Sequence, residues 1–206
     1  MSNYNKTKRA FDIIVSAILL LILSPLFLIV AILIKNTSKG SVIYKRNVVG
    51  FNKKNFNFYK FRTMVFNSDE ILNEWILTSN ALHSEYLESF KLDNDPRITP
   101  IGRFLRKTSL DELPQLFNVL FGTMSLVGPR PVVEDELYKY SNKHLSVRFN
   151  FKPGITGLWQ ISGRQDIPYS EREKLDHNYI QNASFAYDFK ILIQTPIVVI
   201  KGKGAL

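Results

Sequence analysis

The longest hydrophobic run of the chain covers residues 11–34 and is apolar except for Asp12, Ser16 and Ser24. A helix of roughly 24 residues is long enough to cross a bilayer. Pro25 follows Ser24 near the middle of the run, and proline removes a helical hydrogen bond, so we expect a kink at that point. The pattern therefore predicts a membrane helix that is broken at Ser24 and Pro25.

Basic residues flank this run on both sides, namely Lys6, Lys8 and Arg9 before it and Lys35, Lys39, Lys45 and Arg46 after it. Such clusters mark the cytoplasmic side of a membrane, and a straight span would place one of them outside. The charges therefore favour a re-entrant hairpin over residues 1–40, with the Ser24 hydroxyl helping to satisfy freed backbone groups. An ordinary kinked transmembrane helix is the alternative. The run is longer than a signal-peptide core and lacks a small-residue cleavage site, so we expect it to stay attached.

After residue 40 the periodicity changes to an alternation of apolar and polar residues. Residues 41–46 and 56–62 alternate in this way with turn-forming residues between them, which predicts a short β-hairpin. Lys60 and Arg62 would then lie on the same face of the second strand. Two cations on one face suit a pyrophosphate, whereas a solvated strand face is the ordinary explanation for an isolated pair of this kind.

Helical spacing returns further along the chain. Two amphipathic helices are predicted in residues 67–92, a helical segment in residues 132–148 and a charged helix in residues 171–179. The final apolar stretch, residues 185–200, is interrupted by Pro196. We expect this stretch to lie in the plane of the membrane rather than to span it.

Composition limits the possible architecture and partners. A chain of 206 residues with 45% hydrophobic content can build one sizeable core. We therefore expect a mixed α/β (α+β) fold with a membrane element, residues 1–40, and one cytoplasmic-facing domain, residues 41–206. The net charge of +9 implies an anionic partner such as a nucleic acid, an anionic lipid or a phosphorylated substrate. There is no cysteine, and the three histidines lack metal-ligand spacing, so zinc chemistry is not expected.

Candidate chemistry concentrates in residues 108–131, where Asp111 and Glu112 stand side by side. Residues 111–120 show helical spacing. Their apolar face consists of Leu113, Leu116, Phe117 and Leu120, and their polar stripe consists of Asp111, Gln115 and Asn118. The start of this helix is ambiguous, because Ser109 with Glu112 forms a capping-box pattern while Pro114 prefers the first helical position. Either start places the two carboxylates at a helix N-terminus.

At such a position the helix dipole, together with nearby Arg106, is expected to lower the pKa of a carboxyl group. An ionised aspartate can act as a nucleophile, and its neighbour can hold a hard cation such as Mg²⁺. The ordinary alternative is that Asp111 and Glu112 only cap a surface helix.

Arginines precede and follow the carboxylate pair, at Arg97, Arg103, Arg106 and Arg130. The planar guanidinium suits bidentate binding of phosphate. For Arg103 and for Lys107, contact with anionic lipid headgroups is an equal alternative. Further along, Trp159, Gln160 and Arg164 are placed to frame a nucleotide or sugar, although a buried turn with a packed tryptophan explains them equally well.

Five segments together resemble the bacterial sugar transferases, the monotopic phosphoglycosyl transferases that begin glycan assembly on a polyprenyl phosphate. They occur in the family's order and spacing, at residues 60–64, 95–97, 110–116, 124–131 and 153–164. The resemblance implies transfer of a hexose 1-phosphate from a UDP-sugar to undecaprenyl phosphate at the cytoplasmic face of the inner membrane. It also implies a Ser-Pro break in the membrane helix, with both ends of the helix inside.

By the same resemblance, Asp111 forms a covalent aspartyl-phosphosugar intermediate with release of UMP, and Glu112 binds Mg²⁺. The implied substrate-binding residues are basic: Lys60, Arg62, Arg97, Arg106, Arg130 and Arg164. One departure occurs where the family commonly has Gln-x-Arg-x-Gly, because Val48 replaces the arginine. Arg46 is the candidate to compensate for it.

Several points stay open at this stage. The transferred sugar is expected to be galactose or glucose, and a homodimer is compatible with the sequence. A nucleic-acid partner is not expected, because the basic residues cluster around carboxylates that repel a phosphate backbone. A non-catalytic membrane scaffold of a glycan assembly complex is the alternative function.

Overall fold

The computed structural model describes residues 2–78, 95–163 and 167–201. The helices in these residues are α1 (Ser2–Ile22), α2 (Ser24–Thr37), α3 (Ser68–Thr78), α4 (Pro100–Lys107), α5 (Gln115–Phe121), α6 (Asn142–Arg148), α7 (Leu158–Ser162), α8 (Tyr169–Asn182) and α9 (Phe185–Lys201). The strands are β1 (Ile43–Val49), β2 (Asn55–Phe61), β3 (Ser125–Val127) and β4 (Gly154–Thr156). Short 3₁₀ segments cover Phe51–Lys53, Leu110–Glu112 and Glu134–Lys139. The expected mixture of helices with a short hairpin is confirmed; most of the second helix predicted in residues 67–92 lies outside the described residues.

The predicted break in the apolar run is present. Helices α1 and α2 are bent by 61° relative to each other, and Pro25 lies in the first turn of α2, where its missing N–H breaks no hydrogen bond within that helix. The Ser24 hydroxyl donates to the Leu21 carbonyl at 2.8 Å, and that carbonyl is the group that loses its helical partner to Pro25. Within the described part of the chain, no single helix is long and apolar enough to cross a bilayer, whereas this bent pair is when taken together.

Helix α1 packs directly against the rest of the protein. Arg9 donates to the carbonyls of Val119 and Leu120 at the end of α5, at 2.6 and 2.8 Å. Asp12 is only 2% exposed, and its carboxylate accepts a hydrogen bond from the backbone N–H of Leu126 in β3. The one acidic residue of the apolar run is therefore a docking group.

Strands β1 and β2 form the predicted antiparallel hairpin. Lys60 pairs with Tyr44 in this ladder, and Phe58 pairs with Arg46. Asn118 of α5 fastens the hairpin to the helix, because its amide accepts from the N–H of Tyr59 at 3.0 Å and donates to the carbonyl of Asn57 at 2.7 Å. The second strand is thus held over α5, directly beside the carboxylate pair.

Helix α5 buries its polar stripe. Leu116 joins the main hydrophobic core, as the periodicity predicts, and Val119, which was not part of the predicted apolar face, joins it too. Gln115 and Asn118 are also almost fully buried. Phe117 on the predicted apolar face is partly exposed. The hairpin covers the polar side of α5, which accounts for the burial of Asn118.

A second, parallel pair of strands joins β3 to β4, with Ser125 opposite Gly154. The pattern of apolar and polar residues does not predict this pair. The loops that follow and precede these strands approach so closely that a Cβ at Gly128 would lie 2.4 Å from the carbonyl oxygen of Lys152. This contact sets the Gly-Pro-Arg-Pro turn at residues 128–131 against the segment that leads into α7.

Candidate active site

Asp111 and Glu112 lie in the single 3₁₀ turn between α4 and α5. Ser109 precedes this turn in the left-handed region (φ 56°) and makes no side-chain capping bond, so the capping-box alternative for the start of the helix is wrong. Helix α5 begins just after Pro114. The carboxylates therefore sit one turn before the helix, where its dipole acts on them less strongly than expected.

Two distant parts of the chain converge on this turn. The Nζ atom of Lys60 on β2 lies 2.8 Å from Glu112 Oε1 and 3.6 Å from Asp111 Oδ2. Arg130 approaches from the Gly-Pro-Arg-Pro turn, with Nη1 3.8 Å from the same Glu112 oxygen. Asp111 is 6% exposed, while the Arg130 side chain keeps 37% of its surface exposed. A buried carboxylate thus adjoins a partly open cluster of cations.

The pKa values of the two carboxyl groups shift in opposite directions. Burial raises the pKa of Asp111 and Glu112 adds to the rise, while Lys60 and Arg106 oppose it. Desolvation also acts to raise the pKa of Glu112, but the positive charges of Lys60 and Arg130 outweigh it and lower this pKa to about 2. The expected lowering of the pKa of Asp111 is therefore wrong. The pKa rises because the Asp111 side chain is buried and desolvated, whereas the sequence predicts a position at a helix end.

Gln115 contributes to the site, although the sequence pattern indicates only that it belongs to the polar stripe of α5. It is 1% exposed and contributes to lowering the pKa of Glu112. Its amide nitrogen makes no hydrogen bond of normal geometry to another described residue. The signal in the sequence was its position on the same helical stripe as Asp111.

Two of the predicted arginines lie behind the carboxylate pair. Arg106 donates from Nε to the Thr63 hydroxyl at 2.9 Å, and its charge acts on Asp111. Arg97 forms a bidentate ion pair with Asp95, with contacts of 2.6 and 2.8 Å, and both side chains are buried. Arg106 is placed to influence the carboxylate pair, whereas Arg97 is occupied by its ion pair with Asp95.

Arg62 does not join Lys60 at the site. Its guanidinium donates to the carbonyls of Ser38 and Lys39, just after α2. It lies beyond the last residue of β2, Phe61, so the strand alternation that predicted a shared face no longer applies. Arg62 therefore ties the end of the bent helix pair to the hairpin.

The departure at Val48 leaves an apolar contact. Val48 is 3% exposed in the main core, two residues along the strand from Arg46, which is exposed. The ladder sets Arg46 opposite Phe58 and therefore diagonal to Lys60 on the same face. Compensation by Arg46 stays a prediction.

Arg130 rests on the segment for which framing a nucleotide or sugar and forming a buried turn were equal alternatives. Its guanidinium carbon lies 5.0 Å from the ring centroid of Trp159, which is 4% exposed. Gln160 is also buried, and its side-chain oxygen has no hydrogen-bond partner within the described ranges. Arg164 lies outside the described residues.

The carboxylate pair suits a hard cation that is also bound by substrate phosphates. Glu112 is ionised and its side chain is 21% exposed, and Mg²⁺ commonly binds through one or two carboxylates plus phosphate oxygens. No group of three or more acidic, histidine or cysteine side chains suited to a metal occurs among residues 2–78, 95–163 and 167–201. The donor set therefore fits a substrate-bridged ion and does not form an all-protein cage.

The chain belongs to the bacterial sugar transferase family, whose model it matches over residues 3–202. It is 48% identical over 198 residues to the undecaprenyl-phosphate galactose phosphotransferase of Salmonella typhimurium, which covers 96% of this chain and 41% of that protein. It is 45% identical over 199 residues to the exopolysaccharide production protein ExoY of Sinorhizobium fredii, covering 97% of this chain and 88% of ExoY.

A third relative is the UDP-glucose:undecaprenyl-phosphate glucose-1-phosphate transferase of Escherichia coli. It is 38% identical over 196 residues, which cover 91% of this chain and 39% of that protein. The chain therefore spans about two fifths of the length of the Salmonella and Escherichia relatives and nearly all of ExoY. The family that the motifs resemble is confirmed.

Proposed function

We propose that this protein transfers a hexose 1-phosphate from a UDP-sugar to undecaprenyl phosphate, with release of UMP, in exopolysaccharide or other surface glycan synthesis. The observation that carries the proposal is the convergence of Lys60 and Arg130 on the Asp111 and Glu112 pair in a member of this family. Donor and acceptor are both anionic, and a cationic site next to a membrane element brings them together.

In the proposed reaction, a carboxylate oxygen of Asp111 attacks the phosphorus that carries the sugar. The bond from that phosphorus to the bridging oxygen breaks, and UMP leaves with the bonding electrons. An oxygen of the lipid phosphate then attacks the same phosphorus and displaces Asp111 as a carboxylate, which regenerates the enzyme. This covalent route has two steps and predicts ping-pong kinetics.

The cations of the site have distinct tasks in this scheme. Lys60 reaches both carboxylates, so it offsets the burial that otherwise favours a protonated, unreactive Asp111. Arg130 is the more exposed cation and is placed to bind the diphosphate. Glu112 would hold Mg²⁺, which when bound neutralises charge on the diphosphate.

We propose galactose 1-phosphate as the transferred group, with glucose 1-phosphate as the alternative. The support comes from the relatives. Three relatives named for galactose are 48% to 50% identical to this chain, whereas two named for glucose are 38% and 40% identical.

We further propose that the bent helix pair enters and leaves the membrane by its cytoplasmic face. Both helices expose large apolar side chains, including Leu21 and Leu28 on either side of the break. Helix α9 exposes a stripe at Phe189, Ile193 and Ile197, at four-residue spacing, which suits a helix lying on the membrane surface. The three surfaces are apolar enough to be covered by lipid.

The proposal is tested with protein in nanodiscs, undecaprenyl phosphate, Mg²⁺ and a panel of UDP-sugars, with UMP release as the readout. We expect repeated turnover with UDP-galactose that needs the lipid, with at most about one UMP per enzyme released without it, and both are lost in Asp111→Asn. Absence of UMP with every donor would contradict transferase activity and favour the scaffold alternative. The scaffold alternative also predicts that Asp111→Ala leaves glycan formation in cells intact.

A further inference from the structure

Arg172 lies outside every segment that carries the family resemblance, yet its side chain reaches the tryptophan that supports Arg130. The guanidinium carbons of Arg172 and Arg130 each lie 5.0 Å from the ring centroid of Trp159. Arg172 is fixed by a 2.8 Å hydrogen bond from Nε to the carbonyl of Ile167. A guanidinium over an indole face is attracted by the ring quadrupole, so both arginines share one buried platform.

The backbone of Arg130 is held from the same helix. Asp176, one turn after Arg172 on α8, forms an ion pair with Arg148, and both side chains are buried. The other terminal nitrogen of Arg148 donates to the carbonyl of Arg130. Residues 172 and 176 lie on the same face of a helix, so α8 supports Arg130 both through Trp159 and through Arg148.

We propose that α8 positions Arg130 over the Asp111 and Glu112 pair, with Arg172 and Arg148 as positioning residues. Arg172 acts on the side chain of Arg130 through Trp159, and Arg148 acts on its backbone. Because Arg130 has 37% of its side chain exposed and only a 3.8 Å contact with Glu112, its orientation depends on this support. The inference rests on the proposed transferase function, in which Arg130 binds the diphosphate.

A double-mutant cycle separates positioning from general structural damage. We expect Arg172→Leu to lower kcat/KM for the UDP-sugar about tenfold in the wild-type background, and less than twofold when Arg130 is already replaced by alanine. Arg172→Lys keeps a cation near the ring and should stay within about threefold of wild type. Lys174→Leu is the matched control, because it removes one charge from an exposed position of the same helix.

A readout that needs no activity uses the fluorescence of Trp159. The chain has two tryptophans, so Trp75→Phe leaves Trp159 as the single emitter. In that background, Arg130→Ala and Arg172→Leu should each increase quenching of Trp159 by acrylamide, while Lys174→Leu should not. Arg148 and Asp176 are buried, so replacing either is expected to destabilise the fold. The test therefore uses Arg172.

The possible results are distinguishable. Increased quenching together with a non-additive loss of kcat/KM supports positioning by α8. An equal loss in both backgrounds, or quenching that none of the variants changes, overturns it. If the wild-type protein releases no UMP while quenching responds as expected, the transferase proposal fails but the platform under Arg130 stands.

Discussion

Lys60 Nζ and Glu112 Oε1 lie 2.8 Å apart, although 52 residues separate them in the chain. The contact joins the hairpin to the turn that carries the carboxylate pair, and it contributes to lowering the pKa of Glu112 to about 2. The same ammonium group is 3.6 Å from Asp111. The positive charge of Lys60 therefore lowers the pKa of both carboxyl groups and offsets the repulsion between two neighbouring carboxylates.

Replacement of Lys60 by methionine should lower kcat/KM for UMP release about 100-fold, because the site loses a charge aimed at the reacting groups. Loss of the Lys60 charge should also raise the pKa of Asp111 further, so the acid limb of the pH–rate profile should move to higher pH. Lys54→Met, at an exposed position just before β2, is the matched control. Equal activity of the two variants would contradict the assigned role of Lys60.

Replacement of Pro25 by leucine should straighten the bent pair, because the helical hydrogen bond to the Leu21 carbonyl becomes available again. The chain has no cysteine, so Asn5→Cys supplies a single label near the start of α1. In membrane vesicles, an impermeant maleimide should label this cysteine from the cytoplasmic side alone. With Pro25→Leu, labelling should move to the opposite side.

Pro196→Leu is the control for the topology experiment, since it alters a proline in α9 and leaves the break intact. Labelling of Asn5→Cys from the external side in the otherwise unchanged protein would indicate an ordinary transmembrane helix.

His144 should make stability depend on pH. Burial lowers the pKa of His144 to about 4, and the charge of Arg148 adds to this effect. Because the unfolded chain binds the proton near pH 6.5, it holds more protons than the folded protein between about pH 6.5 and pH 4. The free energy of unfolding should therefore fall by about 3 kcal/mol as the pH is lowered through that window.

His144→Asn should remove this part of the loss, measured as a smaller drop in Tm between pH 7 and pH 4.5. Burial raises the pKa of neighbouring Asp176, which acts in the opposite direction, so the comparison between variants isolates the histidine. His177→Asn, on the exposed side of α8, should behave like wild type. If His144→Asn retains the full wild-type drop in Tm, His144 is not the source of the pH dependence.

Local patterns were sufficient where the interaction itself is local. The alternation around Lys60 predicted the hairpin, and Ser24 with Pro25 predicted the bend between α1 and α2. The pair of three-residue strands β3 and β4 was not predictable, because such short segments show no periodicity and their pairing spans about 30 residues of sequence.

The candidate site was predictable in its two carboxylates and their nearest cations but not in its supporting contacts. Asp111, Glu112, Lys60 and Arg130 come together as the motifs predict. Arg62 and Arg97 carry the same charge but are taken up by backbone carbonyls and by Asp95, since an arginine's partner is set by tertiary contacts.

Trapping of a covalent intermediate tests the central claim most directly. The protein is incubated with Mg²⁺ and UDP-galactose without the lipid acceptor, quenched in acid and digested for mass spectrometry. We predict that the peptide containing Asp111 gains one hexose phosphate group, that the group is lost on addition of undecaprenyl phosphate, and that Asp111→Asn does not acquire it. UMP release that proceeds only in the presence of the lipid, with no modified peptide under any condition, would contradict nucleophilic attack by Asp111.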